Sequence, residues 1–556
     1  MKGERCNGSF FNNRCDLGST MQQGIQYSDR FISFTSITVR LVFLAIALCI
    51  GGSILAQGYT YVNTMNGDLD STATNSKFGW SMATSGNNVV VGSPFHSDRL
   101  GRVSVFQNAS FGDTQVPVHL IDVNNQGGAN PAIETFGATV ALSGDWLAVG
   151  NCSPFGSSQY CSTGVNWVTL FHFDGAGWQA YPRFLRPNGA TSGNFGKAIA
   201  LADDLMVVGG ARTSDDTDGQ DVVYFYRRNG TVWPTLPSDS LFGNGSLTGE
   251  WEAFGHALSM RDGQLVIGAP GDDELGMDCG AVYLYGRDHG GTNNWGLVRK
   301  LLPANGVAGD HFGTAVAIKD DRCVVGAPGR SINGVSAGAG YLYEADAGFP
   351  GNWGEVAYLE PIGTPGIGMA LGTAVALGPD RIALGAPHHK LSAFENDGSV
   401  HVYRREGMAW PPVQRIDPYA DGVINVVGRA GNAVGFVGEH LLIGAPWAKL
   451  LSQTPPAEIT GVVLVYSEGP VSVPSHASSD VRLWPNPCAE SVQLQSGTST
   501  ITRVRIMDAM GRVLQPWESV SRGTHQLDLT GVASGSYFVQ CEMADGEQTT
   551  LPLMRR

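Results

Sequence analysis

An all-β fold is what this sequence predicts, on three observations: a segment that recurs seven times at one interval, a composition rich in glycine and proline, and short apolar runs bounded by turn residues. The chain has 556 residues, 42% hydrophobic and 15% charged, so it is long enough for two folded domains and too apolar to be mainly disordered. Its 75 glycines and 28 prolines favour many short strands joined by tight turns over long helices.

The recurring segment is clearest at residues 311–331, HFGTAVAIKDDRCVVGAPGRS. Aligned on its first glycine, the copies begin at Gly79, Gly137, Gly196, Gly255, Gly313, Gly372 and Gly431, at intervals of 58 or 59 residues. Phe precedes that glycine in the first five copies, and Leu371 and Ala430 stand there in the last two. A second glycine follows thirteen residues later in all seven: Gly92, Gly150, Gly209, Gly268, Gly326, Gly385 and Gly444. An interval kept through seven copies marks a structural unit, to be explained before any residue in it is assigned a function.

Within a copy, TAVAI (314–318) alternates small and branched residues, a turn follows at 319–321, and CVVGAP runs as a strand until proline removes the next donor. A third strand carries alternating aromatics, as in VVYFY (222–226), AVYLY (281–285) and GYLYE (340–344). The fourth is a run such as VRKLL (298–302) or VAYLE (356–360). One four-stranded sheet cannot bury both faces, whereas seven stacked radially can, with small residues nearest the axis. The sequence therefore predicts a seven-bladed β-propeller over residues 58–467, with the Phe packed between blades and the paired glycines allowing close backbone approach. The seventh copy lacks a fourth strand after VVLVY (462–466), and YTYVNTM (59–65) is expected to close the ring in its place.

These residues resemble the FG-GAP repeat of integrin α-chain propellers and of many secreted bacterial proteins, most clearly in AFGHALSMRDGQLVIGAP (253–270) and in the copy quoted above. The calcium-binding copies of that family carry an Asp-rich insertion between FG and GAP, and here that connection is a short turn. Residues 480–541 resemble the type A C-terminal sorting domain of type IX secretion substrates. Pro485, Asn486, Pro487, Asp508, Gly511, Leu527-Asp528-Leu529, Gly535 and Tyr537 stand where that family's signature does. The resemblance implies a small Ig-like sandwich over residues 480–556, read by the type IX secretion machinery and often removed on release or joined to surface lipopolysaccharide. EGPVSVPSHASSD, rich in Pro and Ser, is the expected linker over 468–479.

Residues 1–56 read as a leader with a signal peptide, built on LVFLAIALCI (41–50) after Arg40, with Met21 as an alternative start. An uncleaved anchor is the other reading, although the apolar run falls short of the roughly 20 residues a spanning helix needs. After cleavage no transmembrane helix is expected. The leader holds five Lys/Arg against three Asp/Glu, so its loss takes the net charge from −15 to −17, an unsuitable surface for nucleic acid.

Six of nine cysteines lie beyond the leader of an exported chain. Cys152 with Cys161 is the disulfide candidate, Cys488 with Cys541 would bridge the first and a late strand of the C-terminal domain as a second, and Cys279 and Cys323 fall in different repeats and are expected to stay reduced and buried.

No residue is assigned a catalytic or resident-cofactor role. Gly334 to Gly338 match G-x-S-x-G, but in a loop before a strand and not on a strand-to-helix elbow. Calcium is the cofactor for which Asp215, Asp216, Asp218 and Asp221, or Asp272, Asp273, Glu274 and Asp278, would serve, though neither group has a full ligand spacing and solvated turns are the expectation. Trp178, Trp233, Trp295, Trp353 and Trp410 recur at one place per copy, which fits packing between blades better than a sugar platform. His388-His389 reads as a solvated turn.

The expectation is a secreted or outer-membrane surface protein of a Gram-negative bacterium whose propeller loops bind an extracellular protein or glycan. A hydrolase or lyase on the same scaffold, and a structural component of the surface layer, are the alternatives.

Overall fold

The structure is a computed structural model. It describes residues 58–469, apart from 66, 68–75, 108, 110, 112–115, 123–134, 152–165, 188–193, 211–220, 244–251, 293, 348–350, 392–395, 426–427 and 451–460, and residues 481–555, apart from 485–489, 497–500, 509–512, 521–524, 534 and 544–547. The leader, Cys152, Cys161, Cys488, Pro485, Asn486, Pro487, Gly511 and the Asp215–Asp218 loop therefore lie outside the described residues. Among the described residues no helix is long and apolar enough to cross a membrane.

Each repeat folds into an antiparallel sheet whose strands lie side by side in chain order. The fifth is representative: Ala315–Lys319, Arg322–Ala327, Ala339–Glu344 and Gly354–Leu359. Ala315 lies opposite Gly326 and Lys319 opposite Arg322, which leaves Asp320-Asp321 as a two-residue turn, with Asp320 at φ 54°. The second strand ends at Ala327, before Pro328, as the proline requires. The second repeat adds a short strand, Trp178–Ala180, that pairs with Trp167–Phe173 beside Phe184–Leu185.

Burial grades outward from strand to strand. Second strands such as Arg322–Ala327 and Arg381–Ala386 are buried at every position, because both of their faces are covered by neighbouring sheets. First strands such as Ser81–Ser85 and Ala257–Arg261 are mostly half-buried, since one face looks onto a central channel. Fourth strands such as Gly296–Leu301 alternate with exposed positions at the periphery.

The first strands touch in cyclic order, from Ser81–Ser85 through each repeat to Ala433–Val437 and back to Ser81–Ser85. Glycine sets the spacing of that ring. A Cβ at Gly92 would lie 1.9 Å from the Gly137 carbonyl oxygen of the next sheet, and one at Gly444 would lie 2.3 Å from that of Gly79, the same approach made between last and first. The phenylalanine before each leading glycine fills the next gap outward: Phe312 packs among Val282 and Leu284 of the fourth sheet and Cys323 and Tyr341 of the fifth. Its ring meets Tyr341 edge to face at 5.3 Å.

Gly58–Met65 pairs antiparallel with Val462–Gly469 and forms the outer strand of the sheet that holds Ala433–Val437 and His440–Ala445. The ring thus closes with an N-terminal strand in the last sheet. The pairing runs to Gly469, two residues beyond the boundary expected at 467, because Glu468 lies opposite Tyr59 and is buried against Arg381 and Arg404.

Residues 481–555 form two sheets. Val481–Trp484, Ser491–Ser496 and His525–Asp528 make one, and Val513–Ser519, Ile501–Asp508, Gly535–Met543 and Gln548–Arg555 the other, in that spatial order. They share a core of Val492, Leu494 and Leu527 against Val504, Ile506, Val539 and Cys541. Gly535 opens a strand opposite Arg555, and the Tyr537 hydroxyl donates to the Ala533 carbonyl at 2.7 Å.

Candidate functional site

The central channel has two ends of different chemistry. At the end formed by the turns between first and second strands lies a cavity of about 630 Å³ to which all seven sheets contribute. Its lining recurs at fixed offsets from the leading glycines. Five residues on stand Thr84, Leu142, Leu201, Met260, Ile318, Leu377 and Phe436, an apolar collar broken only by a threonine. Arg261 and Lys319 follow on the fourth and fifth sheets. Arg261 is matched by Asp262 at 3.3 Å, an exposed pair of little energetic weight. Burial holds the Lys319 ammonium below its ordinary pKa, with Asp320 opposing that fall and Arg261 adding to it.

The opposite end is built where the chain enters each first strand. The residue two before the leading glycine accepts a hydrogen bond from the N–H three residues on in every sheet, as in Lys77 from Trp80 and Arg429 from Asn432, both 3.2 Å. Lys77 and Arg429 stand in the left-handed region, with φ 59° and 51°. That turn brings side chains of the first and seventh sheets together. The Lys77 Nζ lies 4.5 Å and the Arg429 Cζ 4.2 Å from the centroid of the Trp447 ring, itself 5.3 Å from the ring of Trp80. Phe95 backs Trp80 at 5.6 Å, and Asn432 Nδ2 donates to the Trp80 carbonyl at 2.9 Å.

Electrostatics single this end out. Lys77 is only 6% exposed, and burial, then the nearby Arg429, bring its pKa down to about 8. On the third and fourth sheets Lys197 Nζ meets His256 Nδ1 at 3.2 Å. Burial lowers Lys197 to about 8, and burial, Lys197 and His311 hold His256 well below the usual histidine range.

The structure also places the residues singled out in the sequence. Asp272 is buried, salt-bridged to Lys300 at 2.7 Å and bonded by the Tyr283 hydroxyl at 2.9 Å, so it is part of a closed ion pair and not a solvated turn. Asp273 accepts from the Asp278 N–H at 2.7 Å, and Glu274 shares Lys300. Asp221 is buried. His389 also departs from the solvated turn expected of it: it is buried, with Nδ1 2.8 Å from Ser399 Oγ, because the loop after Pro387 folds back onto the Ser399–Arg404 strand. His388 is half-buried.

Trp233, Trp295, Trp353 and Trp410 are buried, and Trp295 packs 5.6 Å from Phe225 of the preceding sheet. Trp178 is half-buried against Phe173. Ser336 of the G-x-S-x-G match sits in the hairpin of Ser331–Ile332 and Val335–Ser336 and donates to the Gly329 carbonyl at 3.3 Å. Cys279 and Cys323 are free and buried, and burial pushes their thiols up to about 11 and about 12. Cys541 is likewise a free, buried thiol.

A family model for the FG-GAP repeat matches residues 249–285 and 295–343, and one for the secretion system C-terminal sorting domain matches residues 482–551. The chain carries FG-GAP repeats and a type IX sorting domain. No curated protein matches it. The sorting domain points to a secreted or cell-surface protein handled by the type IX machinery. In FG-GAP terms, the Lys77–Arg429 cluster lies on the face where each FG glycine enters its sheet. Sequence reasoning missed that cluster, since it sought motifs within a copy. Its signal was the position two before each FG glycine, which varies from copy to copy while the glycine does not.

Proposed function

We propose that this chain is a non-enzymatic extracellular binding protein: a seven-bladed FG-GAP propeller, residues 58–469, presenting its FG-entry face to a glycan or protein ligand. One observation carries the reading. The glycine framework repeats in all seven copies, whereas the residue two before it, where the chain enters each first strand, changes through Lys77, Thr135, Asn194, Ala253, His311, Ala370 and Arg429. A constant scaffold with a varied, chemically uneven rim is the arrangement of a recognition surface.

In the same reading, residues 1–56 are a cleaved leader, 470–479 a linker, and 480–556 an Ig-like export address that delivers the propeller to the outer-membrane surface or beyond. Cys152 and Cys161 form its disulfide. The test is a glycan and extracellular-protein array probed with the exported chain. Saturable binding that is lost on Trp80→Ala or Trp447→Ala supports the reading. Absence of binding together with turnover of a polysaccharide or peptide substrate overturns it.

A further inference from the structure

Among the described residues, several cations withdrawn from solvent have an acid within reach. Lys300 meets Asp272 and Glu274, Arg330 meets Asp310 at 2.9 Å, and Arg381 meets Glu468 at 2.8 Å. Lys77 and Arg429 differ. Among the described residues neither has a carboxylate within salt-bridge distance, yet both converge on the Trp447 ring. A buried ammonium beside a guanidinium is doubly unfavourable, from lost hydration and from like-charge repulsion, and a cation–π contact offsets only part of that cost. An anion entering between them would relieve both terms.

The surroundings narrow the anion. Trp80 and Trp447, both half-buried, offer flat apolar surface directly beside the charges, and Asn432 stands next to them. A sugar ring bearing an acid group presents that same combination, an apolar C–H face with an oxyanion at its edge, and Arg and Lys are the donors that carboxylates and sulfates select. We propose that Lys77, Arg429, Trp80 and Trp447 form an oxyanion subsite that takes the carboxylate or sulfate of an acidic glycan.

This rests on the reading of the FG-entry face as a binding surface and gives it a ligand class. A pH dependence follows. The groups facing Lys77 are Arg429 and Trp447, and beyond Arg429 lies His388, which burial and Arg429 hold below the ordinary histidine pKa. Near neutrality Lys77 and Arg429 are both cations, so affinity should be high there and weaken as pH rises through about 8, where Lys77 loses its proton.

The experiment titrates the full exported chain with glucuronate, glucose 6-sulfate, glucose and a triglutamate peptide, followed by indole fluorescence and melting temperature. Expected is a saturable response to an acidic sugar, with glucuronate and glucose 6-sulfate separating the two anion sources. It should be at least roughly tenfold weaker with glucose and in Lys77→Gln and Arg429→Gln, and should fade above pH 8 in the unaltered protein. Arg429→Lys, which keeps the charge, should retain most of it, and with the pH series it serves if a Gln variant fails to fold. No saturable response to either acidic sugar, or an equal response in folded Gln variants, overturns the proposal. A stronger response to triglutamate overturns the glycan assignment. A neutral ligand found on the arrays whose binding ignores Lys77→Gln sinks this subsite and leaves the binding-protein reading standing.

Discussion

Tyr59 and Glu468 lie opposite one another in the strand pair that closes the ring, and Arg381 of the neighbouring sheet holds both, with Nη1 3.1 Å from the Tyr59 hydroxyl and 2.8 Å from the Glu468 carboxylate. Gln414, also of the sixth sheet, exchanges two hydrogen bonds with the Tyr59 backbone, at 2.6 and 3.0 Å. The closing strand is thus tied to two sheets. Arg381→Met should cost about 3 kcal/mol in denaturant unfolding, because Glu468 is left buried with Arg404 as its remaining partner. A cost under about 1 kcal/mol would show the tie to be incidental.

Glycine at the sheet junctions should be irreplaceable in a way that turn glycine is not. Gly444→Ala sets a methyl 2.3 Å from the Gly79 carbonyl oxygen, backbone that can move only by opening the ring. Gly230, by contrast, has a positive φ of 59° and open space around it, so Gly230→Ala should cost only about 1 kcal/mol from backbone strain. The pair of variants, compared by thermal unfolding, separates crowding from strain. Equal costs would refute the close-approach account.

Acid should weaken the sixth sheet through His401. Its Nδ1 accepts the Ile362 N–H at 2.8 Å, so the proton is on Nε2, which faces Ser399 Oγ at 3.2 Å, and Ser399 Oγ in turn lies 2.8 Å from His389 Nδ1. Burial, then His389 and Arg415, depress the His401 pKa to about 3. The unfolded chain takes up a proton near pH 6.5 and the folded chain does not. Stability should therefore fall with pH from about 6.5 down to about 3, by up to ~1.4 kcal/mol per unit. His401→Gln should flatten that slope, and an unchanged slope counts against the assignment.

Lys77 sets binding against stability. Its folded pKa lies below the ordinary lysine value, so the cost of keeping it charged is fully present below pH 8 and disappears as pH rises toward 10.5. Lys77→Met should raise stability at pH 7 by about 1 kcal/mol while abolishing the acidic-sugar response. A destabilised variant would mean that the ammonium has a stabilising partner.

Removing residues 480–556 should leave the protein in the periplasm, since the sorting domain is the part the type IX machinery handles. Cell fractionation with an antibody to the repeats reads the outcome. Surface delivery of the truncated chain would sink the assignment.

Much of this architecture was legible in the sequence because it repeats. The interval between leading glycines, the proline that ends the second strand in five of the seven copies, and the strand missing from the seventh copy are local signals, and together they specify the sheets and the closure by residues 59–65. The sorting domain was legible for a different reason, a short signature at fixed spacing whose Leu527 and Leu529 are core residues. What only the tertiary structure decided is which side chains of different copies meet. Lys77 and Arg429 are 352 residues apart, and no pattern within one copy could bring them to the same indole. Asp272 and His389 looked solvated because their loops are polar, and were buried because Lys300 and Ser399 waited on other strands to satisfy them. Periodicity determines a scaffold from local chemistry, whereas a site depends on contacts between distant residues that only ring closure creates.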